Sequence, residues 1–216
     1  MAPPHRKVFL TWNLKDSIPA RIREEIQDER ERLENLPFKD NETLSERILR
    51  HHRVLFAMAD RYLDSGPKGP LHLRHPTAAG IVREAILHGV PERYDLYAFT
   101  VMPNHVHLLI FPKWMLEKVT QGIKGFTSYA INKLQAQAGR TFWQDESYDH
   151  WVRNETEFHR TIHYIEQNPV KAGLCKKTNE WRWSSAYLRT EYGWPAGQAF
   201  PPGVIDCQAG KPDLQK

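Results

Sequence analysis

The chain has only two cysteines, Cys175 and Cys207, which is too few for a disulfide framework, and neither sits in a paired-thiol metal spacing. A reducing compartment is the expectation. No apolar run approaches a membrane span, and the opening "MAPPHRKVFL" has no apolar signal core, so the sequence predicts a cytoplasmic protein with no membrane partner. Gly (12) and Pro (15) are too sparse in 216 residues to imply general disorder, and neither an internal repeat nor a low-complexity tract appears. With 40% hydrophobic residues, the length suits one globular domain.

Charge of one sign is also in short supply, the net being +4, but it is unevenly placed. Residues 113–189 hold 12 Lys/Arg against 8 Asp/Glu, whereas residues 1–112 hold 16 against 15. A surplus of this kind ordinarily marks a solvated face, yet it permits a polyanionic partner.

The strand-forming run "KVFLTWNL" (7–14) opens the chain and ends near Pro19. A charged helix is predicted from Arg21 to Glu34, with a light stripe of Ile22, Ile26 and Leu33. Asn41 precedes a stronger helical pattern over 42–64, which runs out in "DSGPKGP". The spacing of Ala78, Ile81, Val82, Ala85 and Ile86 predicts a third helix stopped by Gly89. "YDLYAFTV" and "HVHLLIF" read as an antiparallel hairpin joined by "MPN". A long helix follows from Met115 to Ala138, then short extended segments at "TFWQ" and "SYDHWVRN". Asn154 with Glu157 marks the start of a last helix carrying Phe158, Ile162 and Ile165, which Pro169 should close. From Gly193 onward eight of 24 residues are Gly or Pro, predicting a flexible tail.

Within "FTVMPNHVHLLIFP" (99–112), His105 and His107 leave one strand face while Val106 points to the other. Two adjacent imidazoles suit one divalent metal, although half-buried polar residues bonded across a hairpin would look the same. A metal needs at least one further ligand. "TIHYIEQNPVKAG" (161–173) places Tyr164 and Asn168 four residues apart on one helix face, a phenol and an amide oxygen together. Asn168 is a candidate ligand and Tyr164 a candidate nucleophile, while Asn before Pro is equally an ordinary helix terminator.

Together "FLTWNL", "MPNHVHLLI", "WQDESYDHWVRNETEF", "YIEQNPVKAGL" and "WRWSSA" resemble the REP-associated tyrosine transposases, IS200-like members of the HUH single-strand endonucleases. The resemblance covers about 7–14 and 94–188. It implies an α+β fold: an antiparallel sheet with helices on one face, a ferredoxin-like or RRM-like HUH nuclease core. The stretch 15–90 is then a helical insertion, longer than compact members need. The resemblance also implies that Tyr164 is the catalytic tyrosine, with Tyr129 in "FTSYAINKL" as rival. His105, His107 and Asn168 would bind Mg²⁺ or Mn²⁺.

The implied activity is cleavage and rejoining of hairpin-bearing single-stranded DNA through a 5′-phosphotyrosine link, by a monomer or homodimer. Arg153, Arg160, Lys171 and Arg182 are candidates for phosphate contacts and Trp143 for base stacking. Each has a plainer reading, as solvated charge or core aromatic. The alternatives are a non-catalytic single-strand-binding module with an RRM-like sheet, and a metal hydrolase. The hydrolase predicts a carboxylate beside the histidine strand, and none is evident in sequence there.

Overall fold

A computed structural model describes residues 6–65 and 69–201. Its elements are β1 (Val8–Asn13), α1 (Ala20–Glu34), α2 (Leu44–Asp64), α3 (Pro76–Leu87), β2 (Tyr94–Val101), β3 (His105–Pro112), α4 (Leu116–Leu134), β4 (Tyr148–Trp151), α5 (Glu155–Lys171) and α6 (Ser185–Tyr192). The strands form one antiparallel sheet in the order β2-β3-β1-β4. Thus β1, first in sequence, is inserted between the hairpin partner β3 and the late strand β4. Among the described residues no helix is long and apolar enough to cross a membrane.

Alternation along the two central strands builds two cores. Val8, Leu10 and Trp12 of β1, with Leu108 and Ile110 of β3, meet Val82 and Ile86 of α3 and Val119 and Ile123 of α4. Phe9 and Leu109 point the other way, onto Phe158, Ile162 and Ile165 of α5, with Phe56 of α2 packed alongside. The α+β class and antiparallel sheet are as expected, but helices cover both faces and not one. One alternating set on β1 and β3 is apolar, and the other joins Phe9 and Leu109 to Thr11, His105 and His107, so the second layer of helices covers that apolar part and buries the histidines with it.

Several element ends differ from the sequence reading. Thr43 caps α2, its Oγ1 accepting from Glu46 N–H (3.3 Å) while Glu46 accepts from Thr43 N–H (2.8 Å). Asn41 instead takes a left-handed turn upstream, at φ 59°. α4 stops at Leu134, before the expected Ala138, because Ala136 turns left-handed at φ 53°. Asn154 caps α5 as expected, accepting from Glu157 N–H at 2.8 Å. Pro169 does not close that helix but lies inside it, two residues from the end, where it costs one backbone bond.

The terminator of α5 is Gly173, at φ 71°, with its N–H on Val170 O and that of Leu174 on Pro169 O, a Schellman ending. Gly89 answers a packing need, since a Cβ there would run into the Tyr94 ring. The segment 193–201 does not trail away: Phe200 is buried and its N–H meets Leu96 O at 2.9 Å. The remainder of the expected tail lies outside the described residues.

Candidate metal and tyrosine site

Strand pleat puts His105 and His107 on the same side of the sheet as Phe9, both fully buried. His107 lies opposite Thr11 of β1, and its Nδ1 is 2.7 Å from Thr11 Oγ1. His105 Nδ1 is 2.7 Å from Asn104 Oδ1, an acceptor only, so that nitrogen carries the proton. With both Nδ1 atoms engaged, the two Nε2 atoms face each other 3.0 Å apart.

α5 lays Tyr164 and Asn168 over this pair. The Tyr164 ring is 5.5 Å from the His107 ring, centroid to centroid, and 5.9 Å from Phe9. Asn168 Nδ2 donates to His107 Nε2 at 3.1 Å. Tyr129 is removed from all of this, being 67% exposed on α4, which packs on the opposite face of the sheet.

The structure adds two carboxylates that the sequence reading did not include. Asp60 and Asp64, one turn apart on α2, approach from the third side. Asp60 Oδ2 accepts the Tyr164 hydroxyl, and Asp60 Oδ1 is 3.5 Å from His107 Nε2. Asp64 Oδ1 is 3.7 Å from His105 Nε2, and its Oδ2 lies 3.4 Å from Asn168 Nδ2. The expectation that no carboxylate stands beside the histidine strand is therefore wrong. Their i, i+4 spacing at the end of a helical run was the available signal.

Burial governs the electrostatics. It holds His105 down at about 3 and His107 well below its ordinary value, so both imidazoles are neutral with lone pairs available. The Asp contacts are consequently not ion pairs. Burial raises Asp60 to about 6, and burial together with the Asp60 charge raises Asp64 to about 7. Burial, then the Asp60 charge, pushes the Tyr164 phenol well above its usual range.

This donor set fits a divalent cation. Asp60, His105 and His107 each offer a ligand atom within 4.8 Å of the others. Asp60 Oδ1, Asp64 Oδ1 and Asn168 Oδ1 are buried and bonded to nothing. Leaving such oxygens unmatched costs about 1–3 kcal/mol each, and more for charged groups, a debt that one bound cation removes. A half-turn of the Asn168 amide exchanges its Nδ2 for Oδ1 against the cluster.

Of the expected strand contacts, Arg153 and Arg160 line an open groove of about 660 Å³ with Tyr164, joined by Arg53 of α2. Glu157 holds Arg153 and Arg53, while Arg160 has no carboxylate partner among the described residues. Lys171 Nζ stands 5.0 Å from the Tyr164 ring centroid. Arg182 lies over Trp183 and does not line the groove. Trp143 is not available for stacking: it is 4% exposed, donates to Thr127 Oγ1 at 2.9 Å and packs on Trp12.

The family model for IS200-like transposases matches residues 83–168, a span that takes in both histidines, Tyr164 and Asn168. Those residues are similar to an IS200-like transposase domain. A REP-associated tyrosine transposase of Escherichia coli K12 is 29% identical over 137 residues, covering 61% of this chain and 78% of that protein. The fold is also that of a solved REP-associated tyrosine transposase bound to a REP hairpin, at a TM-score of 0.51 and 18% identity, over 100% of this chain and 96% of that one. Thr11, Asp60 and Asp64 lie outside the matched span, so half of the buried cluster around its histidines comes from the flanking sequence.

Proposed function

We propose that this IS200-like transposase cleaves and rejoins single-stranded DNA at hairpin sequences through a covalent link to Tyr164. The observation that carries the proposal is the Tyr164 hydroxyl bonded to Asp60 beside two neutral imidazoles. His105, His107 and Asn168 would hold Mg²⁺ or Mn²⁺, with Asp60 as a further ligand. When bound, the cation polarises the scissile phosphate and stabilises charge developing on it.

The protein's own groups do the rest. Thr11 and Asn104 fix the imidazole rings from behind, so Nε2 of each stays turned to the site. Asp60 uses its two oxygens differently, one toward the imidazoles and one on the phenol. As Tyr164 Oη bonds to phosphorus, the phenolic proton passes to Asp60. The bond to the 3′-oxygen breaks, and that oxygen leaves as a hydroxyl with a proton taken from water. The result is a 5′-phosphotyrosine whose bond energy is retained for attack by a second 3′ end. Arg160 and Lys171 meet the flanking phosphates.

The test is covalent capture. Full-length protein, Mn²⁺ and an end-labelled hairpin with single-stranded flanks should yield an adduct that survives denaturation, and Tyr164→Phe should yield none. An equal yield from Tyr164→Phe overturns the assignment. Cleavage without attachment would instead indicate a hydrolase. Binding that survives chelation and loss of both histidines, with no cleavage, would indicate a binding module.

A further inference from the structure

A second cavity, of about 430 Å³, opens beside the site between α1, α2 and the β1–β4 edge of the sheet. Its volume falls in the range, about 300–1,000 Å³, of pockets that take a small organic molecule. Thr11 and Asp60 line it, and these are the residues that touch His107 and Tyr164. Phe56 lines both this cavity and the groove of Tyr164, so the two spaces are neighbours across its ring.

The lining suits a flat, neutral group with a polar edge. Phe56 and Tyr148 are stacked at 4.1 Å and supply an aromatic wall. Asn13, Gln27 and Gln144 bring amide oxygens that can accept, while their nitrogens donate to Leu14 O and Ser17 Oγ, to Glu31 and to Glu146, leaving one N–H each on Gln27 and Gln144. Arg23 and Arg30 are offset by Asp60, Glu146 and Asp149, so a wholly anionic ligand gains little inside. Arg30 is exposed and has no carboxylate partner among the described residues, which leaves it available to a phosphate at the mouth. We infer that this cavity receives the nucleobase next to the scissile phosphate, unstacked from the strand, and that α1 and α2 thereby set the base preference at that position. The inference rests on the strand-cleaving reading above.

The test measures binding of full-length protein, without divalent metal, to a fluorescent hairpin whose flanking nucleotides are replaced one at a time by abasic sites. Stacking and edge contacts to one base are worth roughly tenfold in affinity. One flank position should therefore show a loss of about tenfold with the native protein. The same abasic change should cost less than about threefold in Gln27→Ala/Arg30→Ala, both exposed positions on α1, and in Ile26→Trp, which fills the cavity. If every abasic penalty is the same in native and variant proteins while the native protein still forms its adduct, the pocket assignment falls and the parent reading stands. If no single strand yields an adduct with the native protein, the parent reading falls and takes the pocket with it.

Discussion

Tyr164 and Asp60 are joined by a direct hydrogen bond across 104 positions of sequence, the phenol on α5 donating to the carboxylate on α2. The bond ties the helical segment between β1 and β2 to α5 at the tyrosine itself. It sets apart what each side chain should contribute to chemistry and to binding.

Asp60→Asn keeps the shape of the side chain but removes a proton acceptor. General-base contributions are typically on the order of 10²–10⁴-fold in rate. The adduct-forming rate should fall by at least about a hundredfold, while affinity for hairpin DNA in the absence of divalent metal stays within about threefold. A variant that forms adduct at the native rate would remove Asp60 from the chemistry.

Cation binding should be visible without any DNA. A ligand that binds only the folded state at a hundred times its Kd adds about 2.7 kcal/mol. For a domain of this size that corresponds to a rise in Tm of roughly 5–10 °C. Mn²⁺ should raise the melting temperature of the native protein, and chelator should reverse it. His105→Ala, His107→Ala and Asp60→Ala should each blunt the rise, and an undiminished rise in all three would place the cation elsewhere.

Glu157 is the hub behind the groove, accepting from His150 Nε2 (2.9 Å) and Arg153 N–H (2.9 Å) and pairing with Arg53. Partial burial would raise its pKa, but the Arg153 amide and His150 outweigh that and hold it at about 2. A carboxylate depressed in the folded state gives stability above its unfolded pKa, near ~4.3, and loses it as pH falls through about 2. Glu157→Gln should therefore cost roughly 2 kcal/mol at pH 7, by thermal or urea unfolding, and much less at pH 2. A penalty independent of pH would show that the charge of Glu157 does not matter.

Arg160 lines the groove without a carboxylate partner among the described residues, unlike Arg153. Arg160→Ala should weaken hairpin binding at every flank sequence alike, and reduce the slope of log affinity against log salt by about one. Trp143→Ala should behave in the opposite way. It should cost about 3–5 kcal/mol of stability through the cavity left in the core, with the salt slope unchanged. A salt slope that shifts with Trp143 and not with Arg160 would reverse the two roles.

Most of the elements were legible because their periodicities are local. The hairpin around His105 and His107, the Asn154 cap and the shared face of Tyr164 and Asn168 all follow from pleat, capping chemistry and the helical repeat. Reading failed where one residue type serves two ends. Pro169 looked like a stop but sits close enough to the end of α5 for the helix to absorb it, and Trp143 carried the composition of a stacking platform while being packed into the core.

The sequence by itself determined the chemistry on offer: two imidazoles on one strand, a phenol and an amide on one helix, and a family resemblance joining them. Only the tertiary structure decided that α2 would bring Asp60 and Asp64 into the same buried volume, and that helices would close both faces of the sheet. The reason is physical. A spacing rule reports neighbours within a strand or helix, whereas the approach of α2 to β3 is fixed by the sum of core contacts such as Phe56 on Phe9, which no short stretch of chain encodes.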